Sequence, residues 1–326
     1  MIYGKLEFGL GNQMFQYAFL KKLQHEYGMK AVLDISSGSA FGQYHARKPV
    51  FLLSKFNLDL SDVSFESDAS VIEKAVGVRW KFIKGYEFVL KAIAKLLDSK
   101  DLFHFMQCIT QRLLNKSGIY TMQYGPAPLY YNCKKKDIIF YGNFLSPTFF
   151  DDIGDLIKKE FQINTPIDSK NRAYLDKILD TESVCVHIRR GDFTVPRYAM
   201  LNVCQADYYQ KAIDKMRELR GNVHFFVFSN DMEWVKDNID FGNNVDYVEA
   251  NSSSEPVEEL RLMMNCKHFI IANSSFSWWA QYLSTNSEKV VIAPKYFRTV
   301  RRWNDIVSTS YRQPNWILID NCEVSK

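Results

Sequence analysis

Ser183-Val184-Cys185-Val186-His187-Ile188-Arg189-Arg190-Gly191-Asp192 is the stretch on which the fold turns. Its first half is an apolar run without polar alternation, which reads as a strand buried on both faces. A strand of that kind belongs to a parallel sheet covered by helices. Side chains alternate along it, so Ile188 faces one way while His187 and Arg189 face the other. Two arginines arrive where the strand ends, and Gly191 lets the chain turn away.

Working outward, the same alternation continues downstream. Ala206 to Leu219 reads as a helix, Val223 to Phe228 as a strand, and Asn251 to Ser254 as a polar loop. Ser254 then caps a helix with Pro256 in its first turn, ending near Cys266. Phe269 to Ala272 is a strand, Phe276 to Leu283 begins a helix, and Val290 to Ala293 is a strand stopped by Pro294. Upstream, Ile2 to Phe8 reads as a strand, Gly9-Leu10-Gly11 as a tight turn, and Asn12 as the cap of a helix running to Tyr27. Gly28 ends that helix in the left-handed conformation, and Ala31 to Ile35 completes a βαβ unit. Ile138 to Tyr141 is a further strand candidate, and Pro147 to Phe161 a helix. The expected class is therefore α/β in two halves: residues 1–165, with a helical insertion at about 79–116, and 166–326. Asn164-Thr165-Pro166 is the natural break. A chain of 326 residues suits two domains at about 150 residues each.

Composition excludes several classes. Forty-one Lys and Arg against 37 Asp and Glu leave +4, too little to argue for nucleic acid. The six cysteines form no CxxC, and no His/Cys cluster has zinc spacing, so a structural zinc site is not expected. Cys185 and Cys266 read as reduced core thiols of a cytosolic protein. No signal peptide or transmembrane segment is expected. The insertion mixes basic residues with Trp80, Phe82, Phe88, Leu90, Phe103 and Phe105. It reads as a helical element packed on its own domain, with an anionic membrane surface as the second reading.

In open α/β sheets ligands bind beyond the carboxyl ends of the strands, and four such ends stand out. Gly9-Leu10-Gly11-Asn12-Gln13 offers glycines for close approach and helix N–H groups for an anion. It is not a dinucleotide fingerprint, because Met14 stands where the third glycine belongs, although Asp34 ends the second strand. His187, Arg189 and Arg190 suit a phosphate, since the guanidinium fork matches its oxygens. Phe228-Ser229-Asn230-Asp231 can read a purine or ribose, or simply cap a helix. Asn273-Ser274-Ser275-Phe276 forms a second helix-start anion site, with Ser277-Trp278-Trp279 as packing. Two anion sites and an arginine cluster describe a nucleotide-diphosphate site. No Asp-x-Asp occurs, so the leaving diphosphate needs cations and helix dipoles from the protein, and no metal is expected.

Gly9-Leu10-Gly11-Asn12-Gln13-Met14-Phe15-Gln16-Tyr17-Ala18 resembles the N-terminal signature of the α-1,2-fucosyltransferases, glycosyltransferase family 11. His187-Ile188-Arg189-Arg190-Gly191-Asp192 resembles its HxRRxD motif, and Ala272 to Trp279 its C-terminal motif. The three occur in order and span nearly the whole chain. The resemblance implies a GT-B fold, two Rossmann-like domains facing across a cleft, the C-terminal one binding GDP-fucose. It implies inverting, metal-independent transfer of L-fucose from GDP-β-L-fucose to the 2-OH of a terminal β-galactoside. Arg189 would hold the β-phosphate, with His187 and Arg190 also on the donor. Asn12, with Gly11 and Gln13, would reach the donor from the N-terminal half. Asn273, Ser274, Ser275 and the backbone of Phe276 would hold phosphate. The guanine contact falls to Asp231 or Asn230, and Asp192 would be either the catalytic base or the partner that orients Arg190. Two departures are visible. Phe8 precedes Gly9 where family members often carry another glycine, and Asn230-Asp231 replaces a common Asp-Asp.

The resemblance further implies a bacterial, cytoplasmic enzyme of surface-polysaccharide or O-antigen synthesis, attached to the inner membrane at most peripherally. Its acceptor would be a β-galactoside-terminated oligosaccharide or glycolipid. The competing readings are a GDP-sugar-binding protein without catalysis, a fucosyltransferase of other linkage, and a nicotinamide-dependent oxidoreductase built on the opening βαβ unit.

Overall fold

A computed structural model describes residues 1–36, 52–97, 99–123, 125–249, 251, 255–299 and 311–321. The chain divides into two compact units, Met1–Gln162 with Asp305–Tyr311, and Ile163–Asn304 with Arg312–Lys326.

The first unit is built on a parallel five-stranded sheet. Strands β1 (Ile2–Lys5), β2 (Ala31–Asp34), β3 (Val63–Glu66), β4 (Ile119–Met122) and β5 (Ile138–Gly142) lie in the order β3-β2-β1-β5-β4. Strand order reverses between β1 and β5. Helix α1 (Leu10–Tyr27) joins β1 to β2, and Gly28 closes it at φ 60°, ψ 30° as expected. It begins earlier than the sequence suggests: Gly9 occupies the cap position, and Asn12 sits inside the first turn. The backbone N–H of Asn12 already bonds the Gly9 carbonyl at 3.0 Å. The glycine turn feeds straight into the helix and leaves no extended residue for Asn12 to be. Phe19 stacks on Phe144 at 3.9 Å and meets Phe140 edge-on, which anchors α1 against the β5 side of the sheet.

Helices α2 (Ala69–Val76), α3 (Val78–Leu96) and α4 (Lys100–Lys116) form the insertion. Trp80 and Ile83 of α3 and Leu114 of α4 join one buried cluster with Ile119 and Ile139 of the sheet. The expected packing on the domain's own sheet is therefore present on one face of the hairpin. Pro147 to Phe161 is not one helix. Two short 3₁₀ turns, Pro147–Phe149 and Asp151–Ile153, precede α5 (Gly154–Glu160), because Phe150 lies between them at φ −150° and breaks the helical run.

The second unit holds a six-stranded parallel sheet: β6 (Ser183–Ile188), β7 (His224–Ser229), β8 (Val245–Tyr247), β9 (His268–Ile270), β10 (Val291–Pro294) and β11 (Ile317–Ile319), in the order β11-β10-β9-β6-β7-β8. The same strand order, with its reversal between β6 and β9, is that of the doubly wound dinucleotide fold. Helices α6 (Ser169–Asp180), α7 (Ala206–Arg220), α8 (Met232–Asn238), α9 (Pro256–Met264) and α10 (Ser275–Leu283) complete it. Val184, Val186 and Ile188 face α7 in one core cluster with Tyr208, Ile213 and Met216. The opposite face of β6 carries Cys185 and His187, and the His187 ring lies 5.7 Å from that of Phe276 in α10. Strand alternation thus sorts the quoted stretch as its sequence implies. Cys185 and Cys266 are buried and free. Pro294 does not stop β10 early but is its last residue, paired with Ile319 of β11. Ser254, expected as a cap, lies outside the described residues, and Glu255 precedes α9 without a side-chain cap bond.

Candidate functional site

The reversal between β6 and β9 gathers the second unit's candidate side chains. Two adjacent tyrosines of α7 hold the two strand ends from behind. The Tyr208 hydroxyl donates to the Ile271 carbonyl at 2.6 Å, and that of Tyr209 to the His187 carbonyl at 3.3 Å. Both hydroxyls are buried, which drives their pKa values upward. In sequence these tyrosines read only as apolar positions of a helix.

Beyond β6 the arginines diverge. Arg189 forms an ion pair with Asp192, Nε to Oδ1 at 2.8 Å, without hydrogen-bond alignment. Arg190 is held by three contacts. Its Nε donates to Asp231 at 3.1 Å, its guanidinium lies 3.6 Å above the Trp234 ring, and its backbone N–H donates to Asn230 Oδ1 at 2.9 Å. The sequence reading offers Asp192 as the orienter of Arg190. The structure assigns the orienting carboxylate of Arg190 to Asp231 and pairs Asp192 with Arg189. Gly191 is required by Asn230, because a Cβ there would lie 2.1 Å from the Asn230 amide nitrogen. Asn230 therefore supports the arginine loop, and Asp231 caps nothing by its side chain.

His187 is buried, and its Nδ1 has no hydrogen-bond partner among the described residues. Burial, reinforced by the charge of Arg189, holds its pKa down to about 3, so the ring is neutral. An unpartnered buried imidazole nitrogen near the charge of Arg189 is a polar group awaiting a partner. Glu259 of α9 is an acid that the sequence motifs do not mark. Burial pushes its carboxyl up to about 7, and the Arg189 charge opposes that shift. Glu258-Glu259 reads in sequence as charge favoured by a helix start. Glu258 instead pairs with Arg261 at 2.8 Å, whereas Glu259 is the one of the two acids acted on by the charge of Arg189.

Beyond β9, the residues expected to hold phosphate also have places within the fold. Asn273 donates to the carbonyls of Leu201 and Phe297, both at 2.9 Å, and so ties three loops together. Ser274 caps α10 and accepts from the Phe276 N–H at 3.3 Å. Ser275 is the first residue of the helix. Ser277, Trp278 and Trp279 are buried packing residues, as expected.

The first unit's reversal, between β1 and β5, is built differently. Gln16 links the two strand ends: its Oε1 accepts from the Glu7 N–H at 2.9 Å and its Nε2 donates to the Gly142 carbonyl at 3.1 Å. Phe8 follows β1 at φ 69° and Phe144 follows β5 at φ 49°. These are the non-glycine left-handed residues of the described chain, and both lie at this reversal, a place where stored strain accompanies ligand sites. Gln13 donates to the Phe8 carbonyl at 2.9 Å while its Oε1 is buried and unpartnered, and Asn143 Oδ1 nearby is likewise unpartnered among the described residues. Gly11 is buried in the first turn beside Asn12. Asp34, the acid a nicotinamide reading would need, is buried and accepts from the Ser36 N–H at 2.7 Å.

Among the described residues no three His, Cys, Asp or Glu side chains gather as a metal-holding group. No helix among them is long and apolar enough to cross a membrane.

The family model described as Glycosyl transferase family 11 matches residues 128–320, more than half of the chain. The O-antigen biosynthesis glycosyltransferase WbnK of Escherichia coli is 30% identical over 309 residues, covering 90% of this chain and 94% of that protein. An α-1,2-colitosyltransferase of Escherichia coli is 28% identical over 303 residues, covering 90% and 91%. The galactoside 2-α-L-fucosyltransferase Sec1 of Mus musculus is 30% identical over 162 residues, covering 47% of this chain and 44% of that protein. With its arginine pair at a sheet reversal, its family match and its full-length relatives, the chain belongs to glycosyl transferase family 11.

Proposed function

We propose that this glycosyltransferase moves L-fucose from GDP-β-L-fucose to the 2-OH of a terminal β-galactoside, with inversion, without a metal, in the building of an O-antigen-type surface glycan. The observation that carries this reading is Arg189. It stands at the strand-order reversal, ion-paired through Nε with Asp192, and its guanidinium fork matches phosphate oxygens. The unpartnered Nδ1 of His187 and the start of α10 stand on the same face of the sheet. A diphosphate leaving from an oxocarbenium-like sugar gains negative charge. The fork and the helix start meet that charge as it develops, which is where binding lowers the barrier.

In this reading the bond between the anomeric carbon and the β-phosphate oxygen breaks while the galactose 2-oxygen attacks from the opposite face. Arg189 and Arg190 serve the diphosphate, and Asp231, through Arg190, lies on the side where guanine would be read. The start of α10, with Ser274, Ser275 and the Phe276 backbone, completes the phosphate site. Asp192 is a positioning residue for Arg189, and its use as a base is the alternative. Asp192→Asn separates the two. Loss of a base lowers kcat and removes a limb of the pH profile, whereas loss of positioning raises the donor KM. The name of one relative makes a colitosyl donor the second reading.

The direct test is GDP release from GDP-fucose in EDTA, with and without lactose or N-acetyllactosamine, and linkage analysis of the product. Acceptor-dependent release with an α-1,2 product is expected. Release only from GDP-colitose would move the donor to the second reading. Absence of GDP-fucose binding would overturn the assignment of Arg189.

A further inference from the structure

We propose that the α3–α4 hairpin docks this protein on an anionic lipid surface. The inference does not depend on which sugar is transferred. Each helix of the hairpin has two apolar stripes. One faces the sheet through Trp80, Ile83 and Leu114. The other faces away from it. On α3 the outward stripe is Val78, Phe82, Val89 and Leu96, at offsets of 4, 11 and 18 residues, which lie on one helical face. On α4 it is Phe105, Ile109 and Leu113, with Arg112 and Lys116 on the same face.

These side chains are far more exposed than a soluble surface needs. Leu96 is 87% exposed, Val78 81%, Phe88 73% and Leu113 69%. Half of the described chain's exposed large apolar side chains fall between residues 78 and 113. Isolated exposed apolar residues need no explanation, but a patch of this size does.

Charge selects the occupant. Residues 78–116 carry eight Lys and Arg against three Asp and Glu, a net +5. The rest of the chain carries 33 against 34, a net −1. The protein's whole positive excess therefore lies on the element that exposes its apolar side chains. One of the three acids, Glu87, is buried; it accepts from Thr121 at 2.8 Å and pairs with Lys91 at 3.5 Å. A second copy of the chain would set +5 against +5. An anionic bilayer offers the complement: acyl chains for the phenylalanines and leucines, headgroups for the lysines. Neither helix is long and apolar enough to cross, so the hairpin lies in the interface.

The test is co-sedimentation of the full chain with vesicles of phosphatidylglycerol and phosphatidylcholine, against phosphatidylcholine alone, at low and high salt. Two variants report on the two halves of the surface, Phe105→Ser/Ile109→Ser/Leu113→Ser and Lys81→Glu/Lys95→Glu, with circular dichroism confirming that each folds. Binding to the anionic vesicles, weakened by salt and reduced about tenfold or more by either variant, is expected. Failure of the wild-type chain to bind, or equal binding by folded variants, overturns the proposal. Sedimentation velocity adds the remaining outcome. A dimer that the same variants dissociate, with no vesicle binding, would assign the face to a second copy and overturn the lipid assignment.

Discussion

Both units reverse strand order at one place, and both tie the two flanking strand ends with side chains from a helix behind them. In the second unit the tie is Tyr208 and Tyr209 on β9 and β6; in the first it is Gln16 between Glu7 and Gly142. The contents then differ. The β6–β9 reversal presents guanidinium groups, a neutral buried imidazole and a helix start. The β1–β5 reversal presents left-handed phenylalanines and buried carboxamide oxygens without donors among the described residues. The first chemistry suits a diphosphate, and the second suits hydroxyl groups, which can donate to Gln13 and Asn143. One scaffold rule carries two chemistries, and the residues just past each strand end make the difference.

The largest expected effect separates the two reversals outright. Arg189→Ala should cost about 3–4 kcal/mol in the transition state, or about 10²–10³ in kcat, by analogy with loss of an oxyanion donor. Initial rates of GDP release measure it, and retention of more than about a third of the wild-type kcat would remove the role. Arg189→Lys should restore little, since a point charge cannot replace the fork. Next in size is Gly191→Ala. Its methyl would meet the Asn230 amide at 2.1 Å, and Asn230 also holds the Arg190 backbone. The loop must shift, at a cost of about 1–3 kcal/mol in stability. Chemical denaturation and the donor KM should move together; an unchanged pair would mean that Asn230 yields freely.

How much of the molecule is legible in its sequence depends on the range of the interactions. The β6 strand, its two faces, the Ser274 cap and the buried Trp278-Trp279 pair are local properties, written in period and in capping residues. The pairings that define the site are not. Arg190 meets Asp231 across 41 residues, and Asn273 meets Leu201 across 72. No spacing rule announces such contacts. Asn12 reads as a cap but lies within the first turn, because Gly9 can start a helix as readily as asparagine can cap one. Glu259 is hidden in sequence because burial, not residue type, sets its titration. The hairpin is half legible. Its apolar content is plain, but a helix with two apolar stripes does not say in sequence which one stays uncovered. Residues 37–51, the bulk of the stretch after β2, lie outside the described structure.

Acid should expose the second reversal next. An unfolded chain protonates His187 at its ordinary 6.5, while the folded chain does so only at about 3. The unfolded state thus binds more protons between those values. The contribution is intact above 6.5 and is lost as pH falls, by about 2 kcal/mol at pH 5. Glu259 works the other way. Its folded carboxyl keeps a proton up to about 7, so its contribution is lost as pH rises from its ordinary 4.5. Urea denaturation of the wild type and of His187→Gln across this range isolates the first term. The variant should show a shallower acid decline, and parallel curves would mean that the imidazole is solvated and the reversal more open than its burial indicates.

The smallest effect tests the first reversal by its sign. Replacing a residue with glycine ordinarily leaves a protein about 0.5–1 kcal/mol less stable than replacing it with alanine. At Phe8 the order should invert. The backbone there lies at φ 69°, where a Cβ is strained by roughly 1–2 kcal/mol and glycine is not. Phe8→Gly and Phe8→Ala lose the same ring, so their difference reports the backbone alone, and glycine should be better by about 1 kcal/mol in thermal or urea unfolding. Phe144 is also left-handed at φ 49° but is fully buried against Phe19, so both of its truncations should cost several-fold more than those at Phe8. If alanine proves the better residue at position 8, the strand end is relaxed in solution. The first reversal would then differ from the second in its side chains only, not in stored strain.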